Sequence, residues 1–372
     1  MDVVDFCSKL IEFNSVTPAQ KDIFEFIENF LVKLNFDVKI LPFTSPQGVV
    51  VYNLFAKRHM ENARKTLGFL GHVDVVPAGE GWQSDPFVAT IKDNKLVGRG
   101  VCDMKSGVAA FCCALEKCID EIDGGIEFFI TGDEEIGSYE GIQALLEWTK
   151  LNEQFPENCL IGEPSSINKT GDRIFLGHRG SINIEVISQG KQGHVAFPAG
   201  FDNSLSKLCK YITKMKEYQW KQNSSKFPTT NLEPTLLYTK NYAVNVVPDV
   251  SSANINIRFS DDYTSSELEQ ILQQQNEDNL DLKFNRSGEA YYCENENLKN
   301  TLAQAIFETT GLHPEFSGAG GTSDGRFMKN YCNVIEFGVP DATMHQKDEY
   351  TNIDDLVNLE KTYIAFLKKY FA

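Results

Sequence analysis

Apolar residues recur every three to four positions at the start of the chain. Val3, Phe6, Cys7, Leu10 and Ile11 predict one helix, and Ile23, Phe26, Ile27, Phe30 and Leu34 predict a second. Thr17-Pro18 opens the second, with Thr as N-cap and Pro at the first helical position. Continuous apolar runs at 48–55, 66–70, 126–130 and 159–162 predict buried strands. Between them runs a helical stripe through Val108, Phe111, Cys112, Leu115 and Ile119. Strands alternating with helices imply an α/β domain on a mixed, largely parallel sheet.

The pattern changes near residue 178. Ile182, Ile184 and Val186 alternate as in a half-exposed strand; Leu205, Leu208, Cys209, Ile212 and Met215 then predict a helix. Strands at 235–239 and 251–259, a helix at 265–275 and a strand at 280–284 follow. This β-α-β-β-α-β order is the signature of a ferredoxin-like α+β sandwich. From about residue 289 the first style resumes, with a helix at 298–307, a strand at 334–338 and a terminal helix from Ile353. The chain thus reads as an α/β domain, 1–177 with 289–372, interrupted by a small domain at 178–288.

Composition narrows the functional classes. With 35 basic and 52 acidic residues the net charge is −17, which opposes nucleic acid and anionic membrane surfaces. A small anionic substrate stays compatible, because a few local Arg or Lys residues outweigh a distant field. No apolar run is long enough to span a bilayer, and the acidic start MDVVDFCSKL reads as a folded helix rather than a signal peptide. Nine cysteines, an odd number without any C-x-x-C pair, predict free thiols and a cytoplasmic protein. Cys7, Cys112 and Cys209 are expected on apolar helical faces.

Chemistry-bearing residues gather just after the predicted strands, where open α/β sheets bind ligands. GHVDVVP (71–77) supplies His72 and Asp74, which point the same way in extended backbone, so that Asp74 can hold one imidazole nitrogen while the other binds a metal. GRGVCDMKSG (98–107) supplies Asp103 at a helix N-cap position. TGDEEIGS (131–138) supplies Asp133, Glu134 and Glu135; Glu163 follows the next strand, and His345 lies in the loop after the last. Two imidazoles and several carboxylates without thiolate suit zinc, cobalt or manganese. Five ligands exceed what one catalytic zinc holds and suit two ions about 3.5–4 Å apart sharing a carboxylate. One of Glu134 and Glu135 then binds metal while the other serves as general base. Singly, each has an ordinary reading: a solvated Glu pair, or a capping Asp103. His59 and His313 read as surface or cap residues.

GHVDVVP, GRGVCDMKSG, TGDEE and GEPS, in this order and spacing, resemble the zinc-dependent deacylases and exopeptidases that include acetylornithine deacetylase, aminoacylase and succinyl-diaminopimelate desuccinylase. The resemblance spans the chain, and CLIGEPS, HRGS, QGHVAFP and the glycine-rich GAGGTSDGRF (318–327) are most similar to the desuccinylase branch. It implies two Zn²⁺ per subunit, for which Co²⁺ can substitute. His72, Asp103 and Glu163 would hold one ion, and Asp103, Glu135 and His345 the other. It also implies Glu134 as base, Asp74 behind His72, and an inserted dimerisation lid whose His194 reaches the partner subunit's active site. Arg179, Asn245, Arg258, Gly321 and Thr322 match positions that hold a small anionic N-acyl diamino acid. Without the resemblance, the Arg and Asn residues would read as solvating a strand face and the glycine-rich loop as a tight turn; Ser323 breaks any dinucleotide fingerprint there. One departure stands out: Asp341, four residues before His345, replaces an Asn frequent in desuccinylases and would repel an anionic substrate unless protonated or turned away. An N-acyl amino acid deacylase such as acetylornithine deacetylase, or a dipeptidase, is the nearest alternative. A catalytically dead metal-binding dimer is the alternative of another class, and the intact Glu134-Glu135 pair speaks against it.

Overall fold

Strands whose side chains are apolar throughout need cover on both faces. In the computed structural model, Gly125–Thr131 and Asn158–Ile161 are buried at every residue, with Thr66–His72 between them. The structure describes residues 1–58, 65–137 and 139–372; His59 lies outside them. These three strands sit in an eight-stranded sheet ordered Asp37–Thr44, Val50–Arg58, Gly125–Thr131, Thr66–His72, Asn158–Ile161, Asn333–Glu336, Arg173–Phe175, Glu315–Ser317. The third to sixth are mutually parallel, so their carboxyl ends open on one edge. The antiparallel pair Asp37–Thr44 and Val50–Arg58 closes one side. The first of these went unread in the sequence because Pro42 interrupts its pattern, which an edge strand tolerates.

Helix Ser106–Cys118 lies between this sheet and the terminal helix Ile353–Phe371. Phe111 stacks on Phe69 with centroids 4.1 Å apart and meets Tyr363 edge-on at 5.6 Å. The helix begins against bare backbone: a Cβ on Gly107 would stand 2.1 Å from the Gly162 carbonyl oxygen. Only glycine permits that approach, which brings the start of the helix up to Glu163.

The chain divides into two compact units. One comprises Met1–Gly177, Cys293–Ser317 and Ser323–Ala372; the other comprises His178–Tyr292 and Gly318–Thr322. The second unit is a four-stranded antiparallel sheet ordered Asn231–Thr239, Val250–Phe259, Gly180–Gln189, Asp281–Gly288. Its helices, Ser204–Lys216 and Ser265–Gln274, lay Leu208, Met215, Leu268 and Leu272 over Ile182, Ile184, Ile255 and Ile257. This strand order and connectivity is the ferredoxin-like arrangement.

Three local expectations are corrected. The second helix starts at Lys21, not at Thr17-Pro18. Thr17 donates its N–H to the Val75 carbonyl and Ala19 to that of Gly132, so this stretch is tied to the loops after two central strands. Asp103 is not an N-cap: it has φ −119° and ψ 102°, and the regular helix begins at Ser106. Cys209 is exposed, because Tyr211 rather than Cys209 completes the buried face of its helix. All nine cysteines are free. Among the described residues, no helix is long and apolar enough to cross a membrane.

Candidate metal centre

Four adjacent parallel strands deliver residues at or beyond their carboxyl ends to one edge: Glu134 and Glu135, His72, Glu163, and His345. Asp103 arrives from the turn before helix Ser106–Cys118 and stands at the centre. Its Oδ1 lies 3.1 Å from His72 Nε2, and its Oδ2 lies 3.1 Å from His345 Nε2. Glu163 Oε1 is 3.7 Å from His72 Nε2, and Glu135 Oε1 is 3.1 Å from His345 Nε2. Asp103 thus faces two half-sites, each with one further imidazole and one further carboxylate. His72, Asp103 and Glu135 offer donor atoms that all lie within 4.8 Å of one another.

Asp74 serves both sides of this arrangement. His72 Nδ1 is 2.9 Å from the Asp74 main-chain oxygen and 3.5 Å from its carboxylate. The carboxylate accepts the N–H groups of Glu134 at 3.2 Å and Glu135 at 3.1 Å. One fully buried acid therefore orients an imidazole through its backbone and the Glu134-Glu135 turn through its side chain.

The electrostatics show how concentrated the negative charge is. Burial raises Glu163 and Glu134 well above the usual carboxylate range; Asp103 adds to the shift in Glu163, and Asp324 to that in Glu134. Burial opposes protonation of His72, yet hydrogen bonds to Asp103 and Asp74 hold its pKa well above the ordinary value. Hydrogen bonds to Asp103 and Glu135 lift His345 to about 10. Asp103 resists burial and stays below the usual range because it faces both imidazoles. Three carboxylates and two imidazoles without a thiolate are donors for borderline or hard divalent ions, and such a cation would relieve the crowding.

The remaining predicted site residues belong to the second unit. His194 is exposed; its Nδ1 accepts the Ala196 N–H at 3.1 Å, and its Nε2 is 3.5 Å from Asn245 Nδ2. Arg179 donates to Asn231 Oδ1 at 2.7 Å, and Asn231 is paired in register with Arg258. Both arginines therefore lie at one end of that sheet. Gly321 is exposed, with open space where a Cβ would stand, and Thr322 is half-buried.

Several residues at the first site were not read from sequence. Glu349 accepts three main-chain N–H groups from the Asp103 turn and pairs with Arg99. Asp324, in the glycine-rich loop, accepts from Thr131 Oγ1 at 3.0 Å. Arg173 pairs with Asp341, the acid whose charge stood out in the sequence. Arg99, Thr131 and Asp324 lie inside the motifs quoted above, yet neither spacing nor residue type there announces which partner each side chain takes.

A family model described as peptidase family M20/M25/M40 matches residues 68–369. The succinyl-diaminopimelate desuccinylase of Zymomonas mobilis subsp. mobilis is 38% identical, over 100% of this chain and 99% of that one. That of Parvibaculum lavamentivorans is 37% identical, over 100% and 96%. An M20 family metallo-carboxypeptidase of Sulfolobus solfataricus shares the fold with TM-score 0.82 at 16% identity, covering 100% of this chain and 99% of that one. A Bacillus subtilis protein described as a dinuclear metal binding peptidase of the M20 family does so with TM-score 0.70 at 13% identity, covering 99% and 97%. With the family match running through most of its length and relatives of this similarity aligned end to end, the chain belongs to peptidase family M20/M25/M40.

Proposed function

We propose that this protein hydrolyses N-succinyl-L,L-2,6-diaminopimelate to succinate and L,L-2,6-diaminopimelate, in lysine and diaminopimelate biosynthesis. It acts as a cytoplasmic homodimer with two zinc ions per subunit, which cobalt can replace. The observation that carries the metal chemistry is Asp103, with one oxygen toward His72 and the other toward His345. Whole-chain likeness to desuccinylases supports the substrate.

His72, Asp103 and Glu163 would hold one ion, and Asp103, Glu135 and His345 the other. Bound zinc supplies Lewis acidity and lowers the pKa of water toward neutrality. Glu134 lies beside these residues, with its backbone pinned by Asp74. It takes the proton of the attacking water and returns it to the leaving amine as the amide C–N bond breaks. The partner subunit's His194 donates to the oxyanion that forms on the amide carbonyl. Arg179 and Arg258 hold substrate carboxylates, a task for which the guanidinium fork is suited, with Asn245, Gly321 and Thr322 completing the contacts. The small unit is then both dimerisation domain and lid.

The test is to assay purified protein on N-succinyl-L,L-diaminopimelate, N-acetylornithine and a dipeptide panel, with metal analysis of the same samples. Turnover highest on the succinylated substrate with two ions per subunit is expected. Preference for acetylornithine or a dipeptide would overturn the substrate assignment. Two bound ions without turnover on any of them would mark a catalytically dead scaffold.

A further inference from the structure

We infer that the buried pair Glu349–Arg99 is a positioning device for the metal centre, fastening the Asp103 turn to the loops that carry His72 and His345. The inference rests on the metal reading given under Proposed function.

Glu349 and Arg99 are 1% and 2% exposed, and neither has been given a role in the chemistry. Glu349 Oε1 accepts the N–H of Cys102 at 2.8 Å and of Asp103 at 3.2 Å. Its Oε2 accepts the Gly100 N–H at 3.0 Å and Arg99 Nη1 at 2.7 Å. A carboxylate has about four acceptor positions, and here four donors meet them. Three of those donors are backbone groups of the turn ending in Asp103.

Arg99 carries the connection further. Nη1 also donates to the Gln346 carbonyl at 3.1 Å, one residue past His345. Nη2 donates to the carbonyls of Ala78 at 3.2 Å and Pro77 at 3.4 Å, in the loop that follows His72 and Asp74. The guanidinium stands 5.1 Å from the Trp82 ring centroid. Gly98 closes the circuit by donating its N–H to the Glu349 carbonyl at 3.0 Å. Loops from three regions distant in sequence thus converge on one ion pair.

A buried ion pair is by itself poor evidence of stabilisation, since desolvation offsets much of the Coulomb gain. What marks this one is what it holds. Asp103 faces both imidazoles with one carboxylate, so any displacement of its backbone alters both 3.1 Å contacts together. Moreover, Arg99 balances Glu349, so the pair fixes the turn without adding net charge to a site already crowded with carboxylates.

The experiment is stepwise zinc titration of the metal-free full-length protein by calorimetry, alongside its thermal midpoint, for the parent and three variants. Glu349→Gln preserves shape but replaces one acceptor oxygen with an amide donor. Arg99→Lys preserves charge but loses the fork that reaches several carbonyls at once. Glu360→Gln is the control, because it breaks the pair of another buried carboxylate, Glu360, with the exposed Lys117 at the far end of helix Ser106–Cys118. Residues that orient metal ligands typically contribute about 10–100-fold to metal affinity. A loss of that size is expected in Glu349→Gln and Arg99→Lys, felt in both binding steps because Asp103 serves both. The control should bind zinc as the parent does, even where its thermal midpoint falls equally. If Glu349→Gln does not fold, Arg99→Lys decides the matter alone. A parent that binds two ions while these variants bind them equally well overturns the inference alone, as does an equal affinity loss in the control. A parent that binds no divalent ion overturns the metal reading and this inference with it.

Discussion

Arg173 donates from Nη2 to Asp341 Oδ2 at 2.5 Å, and from Nε to the Ser165 carbonyl at 2.6 Å, two residues beyond Glu163. The acid four residues before His345 therefore has its counter-charge beside it and need not repel an anionic substrate.

Removing that counter-charge should expose the repulsion. Arg173→Met is expected to raise KM for the succinylated substrate several-fold while changing kcat little. Adding Asp341→Asn should bring KM back toward the parent value, because the unbalanced charge is then gone. Steady-state kinetics on the single and double variants check this, and a KM that stays high in the double variant would show that Arg173 itself contacts substrate.

Glu134 and Glu135 should separate cleanly. General-base removal costs about 10²–10⁴ in rate. Glu134→Ala should lose at least that much turnover and still bind two metals per subunit, whereas Glu135→Ala should lose a metal. Kinetics combined with metal analysis decide it, and a lost ion in Glu134→Ala would make Glu134 a ligand.

His194 should act across the dimer. Inactive His194→Ala subunits mixed with inactive Glu134→Ala subunits, after dissociation and reassociation, would form dimers in which one site has both residues intact. Activity should return on mixing. If His194 served its own chain, every site would remain defective and mixing would restore nothing.

The pH dependence of stability should show the cost of Glu127, away from the centre. Burial, reinforced by the charge of Glu153, pushes its carboxyl up to about 7 from an ordinary 4.5. The folded state therefore holds this proton more tightly than the unfolded chain. The resulting stabilisation is complete below pH 4.5 and disappears as pH rises through 7. Glu127→Gln should leave stability unchanged near pH 4.5 and raise it, relative to the parent, by at most about 3 kcal/mol above pH 7. Denaturant unfolding across this range measures it, and a difference independent of pH would rule out the titration of Glu127 as its cause.

Local pattern sufficed wherever the cause was local. The stripe Val3, Phe6, Cys7, Leu10 and Ile11 is the buried face of the first helix because helical period alone decides which side chains share a face. The same holds for Ile182, Ile184 and Val186, whose alternation sets which face of the small sheet is covered. The six side chains of the candidate metal centre were also legible, because the segments that carry them follow strands or precede a helix. Tertiary structure decided what no period encodes. Thr17-Pro18 has the chemistry of a helix start, yet the hydrogen bonds that Thr17 and Ala19 make to Val75 and Gly132 hold it in a bend outside the helix. Asp103 has the look of a cap, yet its carboxylate is drawn between His72 and His345. No pattern singles out Glu349, and Asp341 stands out only as a charge set against an anionic substrate, until Arg99 and Arg173, 250 and 168 residues away, are packed against them. Spacing along the chain governs near neighbours, whereas which buried charges meet is determined by the packing of whole elements.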